Sequence, residues 1–219
     1  MRLAEAEDQA AKHVLLDLCC GPGRCTIALA KRGFSVTGRR SNEASLEQGA
    51  GKIQSRAGRD SVGPAGLRHF VRPGTFDLVI SMFTSFGYFD NKADDLTGLK
   101  NMFMSLRYGG ICLVDVMGKE VLAGILQHTI SDRLPDGRTF IQRHEVFDEW
   151  TRIRNEWLLI RKDEVKRFTF HHTVYSGQEL QDRIEQVGFT DVILYGNLDG
   201  DEYGPNAKRL IAVGRKHKA

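Results

Sequence analysis

Val14-Leu15-Leu16-Asp17-Leu18-Cys19-Cys20-Gly21-Pro22-Gly23-Arg24 decides the fold. Its first five residues are an apolar run holding one carboxylate, the text of a strand buried on both faces. Cys19 to Gly23 follows as a turn whose two glycines let a ligand reach backbone where a side chain would collide. Ile27, Ala28, Leu29 and Ala30 then mark a helix, and Lys31, Arg32 and Gly33 close it with basic charge and a glycine stop. Phe34 to Gly38 is a second short strand. Such a strand–turn–helix–strand unit implies a parallel α/β sheet, in which ligands bind at the carboxyl edge. The G-x-G spacing excludes a P-loop. A dinucleotide enzyme is a weaker reading, because Ile27 stands where that fingerprint wants glycine or alanine.

The same rhythm runs on. Phe76 to Ser81 reads as a buried strand, Asp94 to Leu106 as a helix, Tyr108-Gly109-Gly110 as a turn, Ile111 to Val116 as a strand and Glu120 to Leu126 as a short helix. From Thr139 the period changes. Thr139–Phe147, Thr151–Arg161 and Val165–Val174 alternate apolar and polar residues, which predicts an inserted antiparallel meander. Ser176 with Glu179 has capping-box spacing and opens a helix to Val187. Phe189–Tyr195 and Leu210–Gly214 are the last two strands. The expected organisation is one domain, 1–219, with 127–175 as an inserted β cap or dimerisation subdomain.

The chain has 219 residues, with 31 Lys+Arg against 28 Asp+Glu and 41% hydrophobic residues, which excludes a disordered or collagen-like protein. No apolar stretch reaches the roughly 18 residues of a membrane span, and Met1–Lys12 lacks a signal-peptide core. Cys19, Cys20, Cys25 and Cys112 show no C-x-x-C spacing, so no metal site is expected and a reducing cytoplasm is the expected location. The acidic loop with Asp199, Asp201 and Glu202 does not follow the spacing of an EF-hand.

Residues 14–24 with the following Ala-Leu-Ala-Lys-Arg-Gly-Phe-Ser-Val-Thr-Gly38 resemble the first motif of class I S-adenosylmethionine-dependent methyltransferases. Phe76-Asp-Leu-Val-Ile-Ser81 resembles that family's fourth-strand motif, and Leu106-Arg-Tyr-Gly-Gly-Ile111 the turn before its fifth strand. The resemblance implies a seven-stranded Rossmann-like sheet whose last strand is antiparallel, with S-adenosylmethionine across the carboxyl ends of the first strands. Asp17 would hold the methionine ammonium. Cys19, Cys20, Gly21 and Gly23 would wrap the methionine and ribose with backbone, and Leu18, Arg24, Gly38 and Arg39 are the further cofactor-binding candidates. Ser81, Met82, Phe83 and Phe86 would flank the adenosine and the transfer face.

The chain departs from that pattern at two places. The family's ribose-binding carboxylate is expected where Arg39 and Arg40 stand, and neither can accept a hydrogen bond. The carboxylate beside the adenine falls on Gly66, in a poor third strand, Ser61–Gly66. Residues 39–72 hold seven Lys/Arg and three Asp/Glu, so the basic excess of the whole chain sits in this segment. Either the departure is natural or the segment carries compensating frame errors, which gene sequencing resolves.

On the substrate side, Met82-Phe-Thr-Ser-Phe-Gly-Tyr-Phe89 offers aromatic faces to a sulfonium. His171, His172 and Tyr88 are the candidate catalytic residues. A histidine could act as general base, although His171 and His172 point to opposite faces of a strand. The expected reaction is methyl transfer to a small-molecule O, N or C nucleophile, without nucleic acid or membrane as partner and with a homodimer open. The competing reading is a methyltransferase-fold protein that binds cofactor poorly and serves as a binding or structural subunit.

Overall fold

β1 (Val14–Leu18) buries Leu15, Leu16 and Leu18 almost completely, as a strand covered on both faces must. The computed structural model describes residues 13–39, 44–49, 52–57 and 65–218, of which 44–49, 52–57 and 65–66 are described as backbone. β1 runs into α1 (Arg24–Lys31) and returns as β2 (Ser35–Arg39), parallel to β1 with Asp17 opposite Gly38. The chain then crosses to the other side of β1, where β5 (Phe76–Ser81) pairs in parallel with it. The carboxyl ends of β1 and β5 therefore face the topological switch point, the place where open α/β sheets bind ligands.

α3 (Lys92–Ser105), β6 (Leu106–Val116), α4 (Lys119–Ile125), α5 (Gly177–Gln186), β11 (Thr190–Tyr195) and β12 (Leu210–Arg215) complete that half. β6 is parallel to β5, and β12 is antiparallel to β6. α5 carries the capping box expected of Ser176 and Glu179. The core lies under this half: Phe76, Leu99, Met102, Leu180, Ile184 and Phe189 are all buried against it.

Three expectations change. The sheet has eight strands, not seven, in the order β11-β12-β6-β5-β1-β2-β3-β4. The extra pair, β3 (Ala44–Gly49) and β4 (Lys52–Ala57), forms an antiparallel hairpin on β2, the edge at which a third parallel strand was expected. Of the expected third strand, residues 61–64 lie outside the described residues, while Ala65 begins the short helix α2 (Ala65–His69). Tyr108-Gly109-Gly110 is not a separate turn. It belongs to β6, because the Gly109 N–H donates to the Lys216 carbonyl and the Lys216 N–H donates to that of Gly110.

The meander is present as β8 (Thr139–Phe147), β9 (Arg152–Arg161) and β10 (Glu164–Thr173), with a further edge strand, β7 (Thr129–Arg133), making a second sheet of four. This sheet is tied to the segment after β5. The Thr173 N–H donates to Gly87 O at 2.7 Å, and the Arg152 guanidinium donates to the carbonyls of Phe89 and Asp90.

Candidate functional site

Asp17 is the last polar group of β1 before the turn and is almost wholly buried. Thr26, in the first turn of α1, donates its hydroxyl to Asp17 Oδ2 at 2.7 Å. Burial outweighs that hydrogen bond and pushes the carboxyl up to about 6. Gly38 faces the pair: a Cβ there would lie 2.8 Å from Thr26 Oγ1 and 3.1 Å from Cys20 Sγ. The turn itself uses left-handed backbone at Cys19 (φ 60°), Gly21 (φ 52°) and Gly23 (φ 87°), where glycine is the low-cost residue. Nothing would meet a Cβ on Gly21, so its face is open.

Around Asp17 lies a cavity of about 150 Å³, floored by the turn and walled by Cys25, Met82, Phe83 and Ser85. That is the size of space that holds one benzene ring, enough for the amino-acid end of a larger ligand. The Ser85 hydroxyl joins the two loops, donating to Met82 O at 2.6 Å and to Cys19 O at 3.3 Å. Phe83 is 54% exposed, and the Arg24 guanidinium lies 5.8 Å from its ring centre, so this aromatic face already accepts a cation.

Phe83 and Thr84 both take left-handed backbone, with φ of 56° and 57°. Such a pair is strained outside glycine and must be held by its surroundings. Asp115, at the end of β6, holds it: its Oδ2 accepts from Phe83 N–H at 2.8 Å and its carbonyl from Thr84 N–H at 2.9 Å. Arg209 neutralises the buried carboxylate through Nε at 2.7 Å and donates to Thr84 Oγ1 at 3.1 Å.

Beyond Thr84 lies a second cavity of about 350 Å³, between α4 and the second sheet. Alternation on the strands fills it: Ile153, Asn155 and Trp157 come from β9, Phe170 and His172 from β10 with Val174 following. Tyr88 stacks on His172 with ring centres 4.9 Å apart, and Trp157 meets Phe170 edge-on at 4.8 Å. His144 Nδ1 donates to Asn155 Oδ1 at 2.8 Å. Burial, with the charges of His171 and Arg152 adding, pulls the His172 imidazole down to about 4, so it is neutral at physiological pH.

The candidate residues thus divide. Asp17, Cys19, Cys20, Gly21, Arg24, Met82 and Phe83 line the first cavity; Tyr88 and His172 line the second. Gly23 caps α1 beside the first cavity, and Gly38 packs behind Asp17. Leu18 and Ser81 are buried in the sheet, and Phe86 packs on Tyr175 in the core, with ring centres 5.8 Å apart; these three lie behind the site. Arg39 extends over the Phe70 ring at 4.8 Å. His171 lines neither cavity: its Nε2 pairs with Asp90 Oδ1 at 2.9 Å on the other face of β10. Thr26, Asp115 and Arg209 escaped sequence reading. A hydroxyl one turn into the helix that follows Asp17 could have flagged Thr26; the other two meet only through the fold. Among the described residues no group of His, Cys, Asp and Glu is placed to hold a metal ion, and no helix is long and apolar enough to cross a membrane.

Residues 15–110 match the family model described as a methyltransferase domain, a span that holds the first turn, Asp17 and the Met82–Phe83 wall. The chain has the fold of class I S-adenosylmethionine-dependent methyltransferases. YqeM of Bacillus subtilis, a protein named as a methyltransferase, is 27% identical, over 94% of this chain and 85% of its own. An S-adenosylmethionine-dependent methyltransferase from Clostridium acetobutylicum superposes with a TM-score of 0.71 at 14% identity, over 99% of this chain and 89% of its own. The sugar N-methyltransferase KedS8 from Streptoalloteichus superposes with a TM-score of 0.68 at 19% identity, over 98% and 84%. At these identities the superpositions establish the methyltransferase fold.

Proposed function

We propose that the protein transfers the methyl group of S-adenosylmethionine to a small-molecule O, N or C nucleophile. One observation carries this reading: Phe83 and Thr84, adjacent in sequence and locked by Asp115, line two different cavities, so two ligands can be brought against one strained segment. The first cavity fits the amino-acid end of S-adenosylmethionine. Asp17 would pair with its ammonium, the open backbone at Gly21 would take its carboxylate, and the exposed face of Phe83 suits a sulfonium. The cofactor supplies an already activated methyl group. The protein's task is to align the acceptor and exclude water, by the loop 82–88 from one side and the second sheet, 127–175, as a cap from the other.

A second reading is favoured by the text at the end of β2, where Arg39 and Arg40 replace a ribose-binding carboxylate: a binding or structural subunit that holds cofactor weakly. Calorimetric titration with S-adenosylmethionine and S-adenosylhomocysteine separates the two. Micromolar binding of both supports the enzyme. No binding to well-folded protein moves the assignment to the second reading.

A further inference from the structure

The larger cavity specifies what enters it. No Asp, Glu, Lys or Arg lines it, so a charged acceptor would leave water without a counter-ion. Tyr88, Trp157 and Phe170 give the cavity an aromatic lining, and Met117, Leu122 and Ile125 of the α4 region an aliphatic one. A flat ring system packs against such a lining better than a hydroxylated sugar, most of whose hydroxyls would meet carbon.

Among its polar lining residues, which include Thr84, Gln127 and His144, two hold atoms that the protein leaves unpaired. Asn155 Nδ2 and His172 Nδ1 are both buried, and neither has a hydrogen-bond partner within the protein. A buried donor or acceptor without a partner is costly, so two such atoms in one cavity favour a ligand that pairs with both. They lie on neighbouring strands: Asn155 is opposite Phe170 and Ile153 opposite His172, so the two are diagonal neighbours on one face. Such neighbours stand roughly 7–8 Å apart at Cα, and less at Cβ, a span that one ligand oxygen can bridge. The oxygen would accept from the Asn155 amide and donate its proton to the neutral His172 ring. His144 fixes the orientation of Asn155 from the far side by occupying its Oδ1.

We propose that this cavity binds a neutral, planar, largely apolar acceptor carrying a hydroxyl of phenol type, read by Asn155 and His172. The identity of this ligand as the methyl acceptor rests on the methyl-transfer reading above; its chemical class rests on the cavity alone.

The test is calorimetry with four probes: 2-naphthol, naphthalene, 2-naphthoate and glucosamine. The expected result is that 2-naphthol binds at least about tenfold more tightly than naphthalene, while the anion and the cationic sugar do not bind. Asn155→Leu and His172→Phe should each lower 2-naphthol to the affinity of naphthalene. Retained naphthalene binding in these variants shows that the cavity is still folded. Equal affinity for 2-naphthol and naphthalene, unchanged binding in both variants, or preference for glucosamine would overturn the proposal. S-adenosylmethionine is titrated separately into the same preparation. If it fails to bind while 2-naphthol binds, the methyl-transfer reading falls and the ligand class stands.

Discussion

Asp17 is a carboxyl that the fold itself makes hard to ionise. Its neighbours in β1 demand burial, and burial makes its ionised form costly, so the carboxyl is held near 6 instead of below 4. A ligand ammonium would repay the ionisation. Cofactor binding should therefore release a proton at acid pH, and affinity should fall roughly tenfold per pH unit below about 6, by single-proton linkage. Calorimetry in two buffers of different ionisation enthalpy reads that proton. Asp17→Asn should abolish the pH dependence and weaken binding at pH 7.5 by about 30-fold or more, the usual loss when one partner of a buried charge pair goes.

Gly38 sets a second residue-scale expectation. A methyl there collides with the Thr26 hydroxyl, whose other contact is Asp17. Gly38→Ala should cost about 1–3 kcal/mol of stability, as overpacking does. It should also raise the pH midpoint of cofactor binding, because Thr26 is the group that lowers Asp17. A urea melt and the titration above check the two halves. A stability loss with no change in midpoint would mean that Thr26 keeps its bond and the backbone gives way instead.

At the scale of elements, the segment after β5 is held by groups remote in sequence. Asp115 and Arg209 are 94 residues apart and meet because β12 pairs antiparallel to β6, with Ile211 opposite Asp115. Asp115→Asn puts an NH2 against at least one of the donors that the carboxylate now satisfies, and leaves Arg209 without its counter-charge. The expected cost is about 3 kcal/mol, seen as a lower denaturant midpoint at unchanged m. Faster amide exchange at Phe83 and Thr84 should accompany it. This contact had no signature in the sequence, whereas the elements it joins did. The apolar run of β1, the heptad-like spacing of α3 and the alternation of β8 to β10 follow from burial, and burial writes a periodic pattern. β7 carries one apolar residue in Thr-Ile-Ser-Asp-Arg and is largely exposed, so it leaves no pattern to read. The β3–β4 hairpin replaced a parallel strand for a related reason: Ala-Ser-Leu-Glu-Gln-Gly alternates without the apolar weight that marks a strand. Within the site, the turn after β1 was legible because glycine and the carboxylate are rare in a buried run. Phe86 misled because an aromatic next to a binding loop and an aromatic in the core look alike in one dimension.

For the whole molecule, the buried titratable groups pull stability in opposite directions with pH. Asp17 and Asp95 are raised from 3.8 to about 6, each chiefly by burial, Asp95 beneath the Tyr175 hydroxyl that donates to it at 2.5 Å. Raised carboxyls bind protons more tightly in the folded state, so their contribution is complete below 3.8 and lost as pH rises through 6. His172 is the reverse case. Its imidazole is lowered from 6.5 to about 4, so its contribution is complete above 6.5 and lost as pH falls through 4, where the unfolded chain takes up a proton that the folded one refuses. Between 4 and 6 Asp17 and Asp95 favour acid and His172 opposes them, so the joint contribution of these three groups declines as pH rises across that window. Replacing His172 by Phe removes the opposing member. The stability of the parent minus that of His172→Phe should then increase by roughly 2–3 kcal/mol from pH 4 to pH 6.5 and stay constant above it. Denaturant melts at half-unit pH steps measure this difference directly. A flat difference would show that the ring titrates near its ordinary value, that water reaches the larger cavity, and that the apolar character assigned to the acceptor pocket is wrong.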